Sequence, residues 1–120
     1  MTTASDVSQA TDDTYSLYDL RIQVVLRKDA ELVCKHVVGD YIDVKGEMLY
    51  FPGNQPFSMY ALAALLPHLA ARQRMLHKND WMSTDDNIAC PDPNCGAMFR
   101  IFRTAIRTES HGEATVVPLR

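Results

Sequence analysis

Between Tyr18 and Arg27 the side chains alternate, with Leu20, Ile22, Val24 and Leu26 set against Arg21, Gln23, Val25 and Arg27. A period of two sends successive side chains to opposite faces and predicts a strand with one face buried. Lys28-Asp29-Ala30 predicts a turn. The alternation then resumes over Glu31 to Val38, with Leu32, Cys34, His36 and Val38 on one side and Val33, Lys35 and Val37 on the other, which predicts a second strand. Gly39-Asp40 is a turn signal. Tyr41 to Val44 and Met48 to Phe51 flank Lys45-Gly46-Glu47, the pattern of a hairpin.

The period changes after Pro52-Gly53-Asn54-Gln55-Pro56, a run that breaks any regular element. Met59, Leu62, Leu65, Leu66 and Leu69 recur at helical spacing, and Ser58 is placed to cap the first turn. Pro67 has no N–H to donate, so it predicts a kink or split near Leu66, or the first residue of a second helix over Pro67 to Leu76. Arg72, Arg74, His77 and Lys78 follow, cations suited to a helix C-terminus. Asn79 to Asn87 is polar and irregular, with Trp81 as its expected anchor. Two prolines in Cys90-Pro91-Asp92-Pro93-Asn94-Cys95-Gly96 forbid regular pairing and predict a loop. Met98 to Arg107 predicts a last strand.

These elements assemble most simply as one α+β domain over residues 17–107, an antiparallel sheet of three to five strands with the helical segment on one face. Residues 1–16, rich in Thr, Ser, Asp and Ala, are expected to form a flexible arm. Residues 108–120 are expected to be a tail, with Val116, Val117 and Leu119 available to dock. The chain has 120 residues, the size of a single domain.

Charge narrows the functional classes. The net charge is -3 and the basic residues are scattered, so nothing resembles the clustered cations that neutralise nucleic-acid phosphates. No apolar run approaches the roughly 20 residues of a membrane helix. The opening MTTASDVSQATDD has neither the basic nor the apolar region of a signal peptide. With three cysteines, an odd number, a disulfide framework is not indicated, and a cytoplasmic setting is expected.

Candidate chemistry concentrates in Cys34-x-His36 and Cys90-x4-Cys95. Residues two apart in an extended segment point the same way, and thiolate and imidazole donors suit tetrahedral zinc. Cys34, His36 and Cys90 are the first ligand choices, Cys95 the next, and His68 or His77 the substitutes. The competing reading has these residues as core, since free cysteine packs as a small hydrophobe. Neither Cys90 nor Cys95 has a cation beside it in sequence to activate a thiol. Asp12-Asp13, Asp85-Asp86, Asp40 and Asp43 are expected to serve solvent and turns. Trp81, Tyr41, Tyr50 and Tyr60 could line a ligand pocket, though aromatic residues are more often core. The common nucleotide, hydrolase and zinc-protease motifs are absent. The segment up to Leu66 is apolar around much of its circumference, more than a thin sheet can cover, which predicts a partner.

Three patches together give a resemblance. They are Cys34, His36, Gly39 and Asp40; the apolar helix from Pro56 to Pro67; and Cys90-Pro91-Asp92-Pro93 followed by Phe99 to Phe102. In these the chain resembles a family of small bacterial and archaeal conserved hypothetical proteins, over about Asp19 to Arg107. The resemblance implies a fold and a recurring Cys/His set, and supplies no reaction. Members often carry a Cys-Pro before the helix, where this chain has Gln55-Pro56. By analogy, small proteins of this kind can serve as accessory subunits of catabolic enzymes. The expectation is therefore a non-catalytic domain acting by association, as a homo-oligomer or as an accessory small subunit of a larger enzyme, with a structural metal. The alternative is a small metal- or thiol-dependent enzyme built on Cys34, His36 and Cys90.

Overall fold

A computed structural model describes residues 13–114. Five strands run β1 Thr14–Leu26, β2 Tyr41–Lys45, β3 Met48–Tyr50, β4 Asn87–Ala89 and β5 Ala97–Ser110. Three helical segments join them: α1 Met59–Arg72, α2 Trp81–Thr84 and α3 His111–Ala114. The sheet is antiparallel in the order β3-β2-β1-β5-β4. The predicted α+β architecture, an antiparallel sheet of three to five strands with the helical segment on one face, is what the chain forms, with five strands.

The alternation in β1 decides which face is inside. Leu20, Ile22 and Val24 are buried together with their cross-strand partners Val44, Ile42, Ile101 and Phe99. Ala61, Leu65 and Leu69 of α1 join the same cluster. The opposite face carries Arg21 paired to Asp43 and lying over the Tyr41 ring, and Arg100 over Phe102. Between Asp19 and Leu20 the register with β5 skips Thr104. That bulge changes the parity of β1, so Leu17 and Asp19 are buried before it and Leu20 and Ile22 after it. The two-residue turn between β2 and β3 places Gly46 at φ 61, a conformation that suits glycine.

Three expectations are corrected. Glu31 to Val38 is not a strand. Both edges of β1 are already taken, one by β2 over Leu20 to Gln23 and the other by β5 along its whole length. The segment instead crosses the end of the sheet as an extended loop. Its alternation survives, with Leu32, Cys34 and His36 half-buried and Val33, Lys35 and Val37 exposed, but Val38 is also exposed. α1 is not split at Pro67, which lies inside a continuous helix capped by the Ser58 hydroxyl. Pro67 and Ala63, whose carbonyl loses its partner, are both exposed, so water can satisfy that oxygen. Trp81 is no anchor: it is 55% exposed, with its ring meeting His68 edge to face.

The paired strands run beyond residues 17–107. Thr14 to Ser16 pair with Thr108 to Ser110, and His111–Ala114 add a helical turn. Residues 1–12 and 115–120, with the tail's Val116, Val117 and Leu119, lie outside the described residues. Among the described residues no helix is long and apolar enough to cross a membrane.

Candidate metal centre

Two loops meet at the end of the sheet beside the start of β5. The first, residues 27–40, is tied to β1 where Gly39 N donates to Val24 O and Val24 N to Asp40 O. The second, residues 90–96, turns on its two prolines and on Asp92, whose carboxylate accepts from Asn94 N. Backbone bonds lock the loops to each other: Arg27 N donates to Gly96 O and Gly96 N donates to Glu31 O. The approach is close enough that a Cβ on Gly96 would collide with Ala30 Cβ and stand 2.9 Å from Glu31 O. Only glycine fits there.

This locking brings three thiols together. The sulfurs of Cys34, Cys90 and Cys95 lie within 4.8 Å of one another. Cys34 Sγ is 3.8 Å from Cys90 Sγ, and Cys90 Sγ is 3.6 Å from His36 Nε2. Bond lengths of about 2.3 Å to sulfur and 2.05 Å to nitrogen give tetrahedral edges of about 3.8 Å and 3.6 Å around zinc. Cys90 and Cys95 are buried and Cys34 is half-buried. None of the three is in a disulfide. Three such cysteines could hold a metal ion.

The electrostatics suit soft-metal ligation. Cys34 is pushed up to about 12, because its thiol donates to Cys95, it is desolvated, and it also faces Cys90. Burial opposes ionisation of Cys95, yet hydrogen bonds from the Ala97 backbone, the Cys34 thiol and the Cys34 and Val33 backbones bring it down to about 7. One thiolate is thus favoured in the cluster, and a cation would release the others from their mutual repulsion. Burial lowers the His36 pKa, which keeps its ring neutral and its lone pair free to bind. The His36 ring rests edge-on against Phe99 at 5.1 Å, a fully buried residue that fixes it from the core side.

The structure thus gathers the three cysteines and sets His36 against Cys90, at the edge of their group. The substitutes are elsewhere: His68 packs on Trp81, and His77 Nδ1 accepts from Asn79 N. Gln55 clamps the Tyr41 backbone through its side-chain oxygen and nitrogen. Described members of the carboxylate pairs serve structure: Asp13 accepts from Gly112 N, Asp85 from Asn87 N, and Asp86 pairs with Arg100. Asp92 was not picked out from sequence as a site residue, yet its Oδ2 lies 3.7 Å from Cys34 Sγ. Its place in the Pro-Asp-Pro turn was the only signal. Of the four aromatic residues, Tyr60 joins a cleft of about 570 Å³ that Cys34 and His36 line with Phe57 and Met59, and Tyr50 lines a different one.

Comparison with protein-family models, with curated proteins and with solved structures gives no match.

Proposed function

We propose that this chain is a small non-catalytic domain whose two terminal loops are fastened by one zinc ion, and that it acts by association. Cys34, Cys90 and Cys95 are the thiolate ligands and His36 the fourth donor. The carrying observation is the convergence of three sulfurs from two loops within 4.8 Å of one another, with Cys34 Sγ 3.8 Å from Cys90 Sγ. Three thiols and an imidazole drawn from two loops make a closed four-ligand set, which is the pattern of structural zinc. Met59, Tyr60 and Leu66 of α1 are 69%, 69% and 48% exposed, an apolar surface suited to a second copy of the chain or to a larger enzyme subunit.

The apolar cleft beside Cys34 and His36 favours one second reading, a metal-dependent enzyme. There three thiolates hold the ion and His36 stays free, leaving the fourth position open to a substrate in the cleft.

Metal analysis of purified protein, together with sedimentation velocity, tests the proposal. One zinc per chain and an assembly larger than the monomer at micromolar concentration are expected. Protein that folds without metal and takes up none would remove the zinc centre. A metal-loaded monomer without a copurifying partner would remove the association.

A further inference from the structure

Every buried side-chain nitrogen or oxygen without a hydrogen-bond partner among the described residues belongs to one small region. The atoms are His68 Nδ1, Arg72 Nε and Nη2, and Ser83 Oγ. His68 and Arg72 are one turn apart on α1, and Ser83 belongs to α2, which packs on them through the His68–Trp81 contact and the bond from Arg72 Nη1 to Met82 O. Buried polar atoms are ordinarily paired, so four orphans at one junction call for a cause.

Two other arginine forks among the described residues show what is missing. Arg21 presents Nε and Nη2 to both oxygens of Asp43, and Arg107 presents the same edge to both oxygens of Asp19. Arg72 is only 3% exposed, yet that edge of its guanidinium is empty. Asp85 and Asp86 act on Arg72 through their charge, but neither is hydrogen-bonded to its Nε and Nη2. Leaving that buried edge unpaired is costly, and the fork matches an oxoanion through two parallel N–H bonds. Arg72 borders a cleft of about 230 Å³ together with Met82, Ser83, Asp86, Phe102 and Arg103. At about 30 Å³ per water that is room for roughly seven waters, or for a small acid. The one carboxylate on the cleft, Asp86, is engaged by Arg100 Nε at 3.2 Å and by Asn87 Nδ2. Arg103 adds a second cation, held by the Arg72 carbonyl and lying over the Tyr18 ring.

We propose that the α1–α2 junction binds a small molecule through its oxoanion group, a carboxylate or a phosphate. The Arg72 edge forms the two parallel bonds, and Ser83 Oγ supplies a further one. The free edge is shielded from solvent, so α2, a single turn, has to lift for the ligand to enter. The junction lies at the C-terminal end of α1, and the thiol cluster's cleft at its start. The 14-residue helix separates them by roughly 20 Å, so this site stands whether or not the metal centre does.

The test is an NMR titration of the full chain with inorganic phosphate and, separately, with acetate, ionic strength being held constant with chloride. Saturable shifts of the Arg72 Nε–H and the Ser83 amide are expected at about 1–10 mM, the affinity of a few charge-assisted bonds. A tighter fit for phosphate assigns a phosphorylated ligand, and a tighter fit for acetate a carboxylic acid. Arg72→Lys, which keeps the charge and removes the fork, should weaken binding by about tenfold. Ser83→Ala should weaken it by a few-fold and covers the case in which the arginine variant does not fold. No saturable shift at these atoms with either anion overturns the proposal. So does affinity unchanged in Ser83→Ala and in a folded Arg72→Lys.

Discussion

Serine at position 90 would test the metal centre at its hub. Cys90 Sγ is the atom that approaches both Cys34 Sγ, at 3.8 Å, and His36 Nε2, at 3.6 Å, so Cys90→Ser removes a central ligand with little change of volume. A ligand that binds only the folded state stabilises it by RT ln(1 + [L]/Kd), which is about 2.7 kcal/mol when free zinc is 100-fold above Kd. An unfolding entropy of about 2.1 cal/mol/K per residue amounts to roughly 250 cal/mol/K for a chain of this length. The zinc gain in the wild-type protein is therefore a rise in Tm of about 11 °C. Loss of groups that merely support a ligand weakens metal sites by about 10–100-fold, and loss of a thiolate ligand itself should reach at least the upper figure. At the same free zinc the variant then sits near its Kd, gaining about 0.4 kcal/mol, or roughly 2 °C. Calorimetric melts in zinc buffer and in chelator would measure both gains. His77→Ala is the control, because that ring accepts from Asn79 N and should leave the full zinc gain in place. Equal zinc gains in the wild type and Cys90→Ser, or none in the wild type, would refute the reasoning.

Two further outcomes follow from the same coordinates. Hydrogen bonds from Arg107 hold the Asp19 carboxyl below the usual carboxylate range, although burial opposes them. A depressed folded pKa contributes stability above the unfolded value near 4 and loses it as pH falls through the folded value. Urea unfolding should therefore show Asp19→Asn less stable by about 1–2 kcal/mol at pH 7, with the deficit shrinking below about pH 4. A deficit that does not change with pH would deny the charged pair. Gly96→Ala drives a methyl group into Ala30 and towards the Glu31 carbonyl, so it should cost about 2 kcal/mol or more and lower the metal content by displacing Cys95. A variant as stable and as metal-rich as the wild type would show that the two loops are not pressed together there.

Much of the fold was legible because it follows from local periodicity. The alternation of Leu20, Ile22 and Val24 named the buried face of β1, Ser58 named the start of α1, and Lys45-Gly46-Glu47 named the hairpin. β4 was missed because three residues, Asn87 to Ala89, carry no period of their own and become a strand only by pairing with β5. Glu31 to Val38 had the period of a strand, but pairing depends on a free edge, and beside Val24 that edge is already taken by Gly39 and Asp40. Asp92 had only its place in the Pro-Asp-Pro turn to mark it, and the orphaned edge of Arg72 carries no sequence signature, since its meaning lies in what it faces.

By itself the sequence determined which residues are able to act as soft donors and which stripes must be buried, because side-chain chemistry and backbone period are local properties. Cys34, His36, Cys90 and Cys95 were named on those grounds alone. Only the tertiary structure decided that sulfurs more than fifty residues apart meet within 4.8 Å. That meeting rests on two backbone bonds between loops and on a glycine with no room for a methyl group, and distance in space is set by such long-range packing.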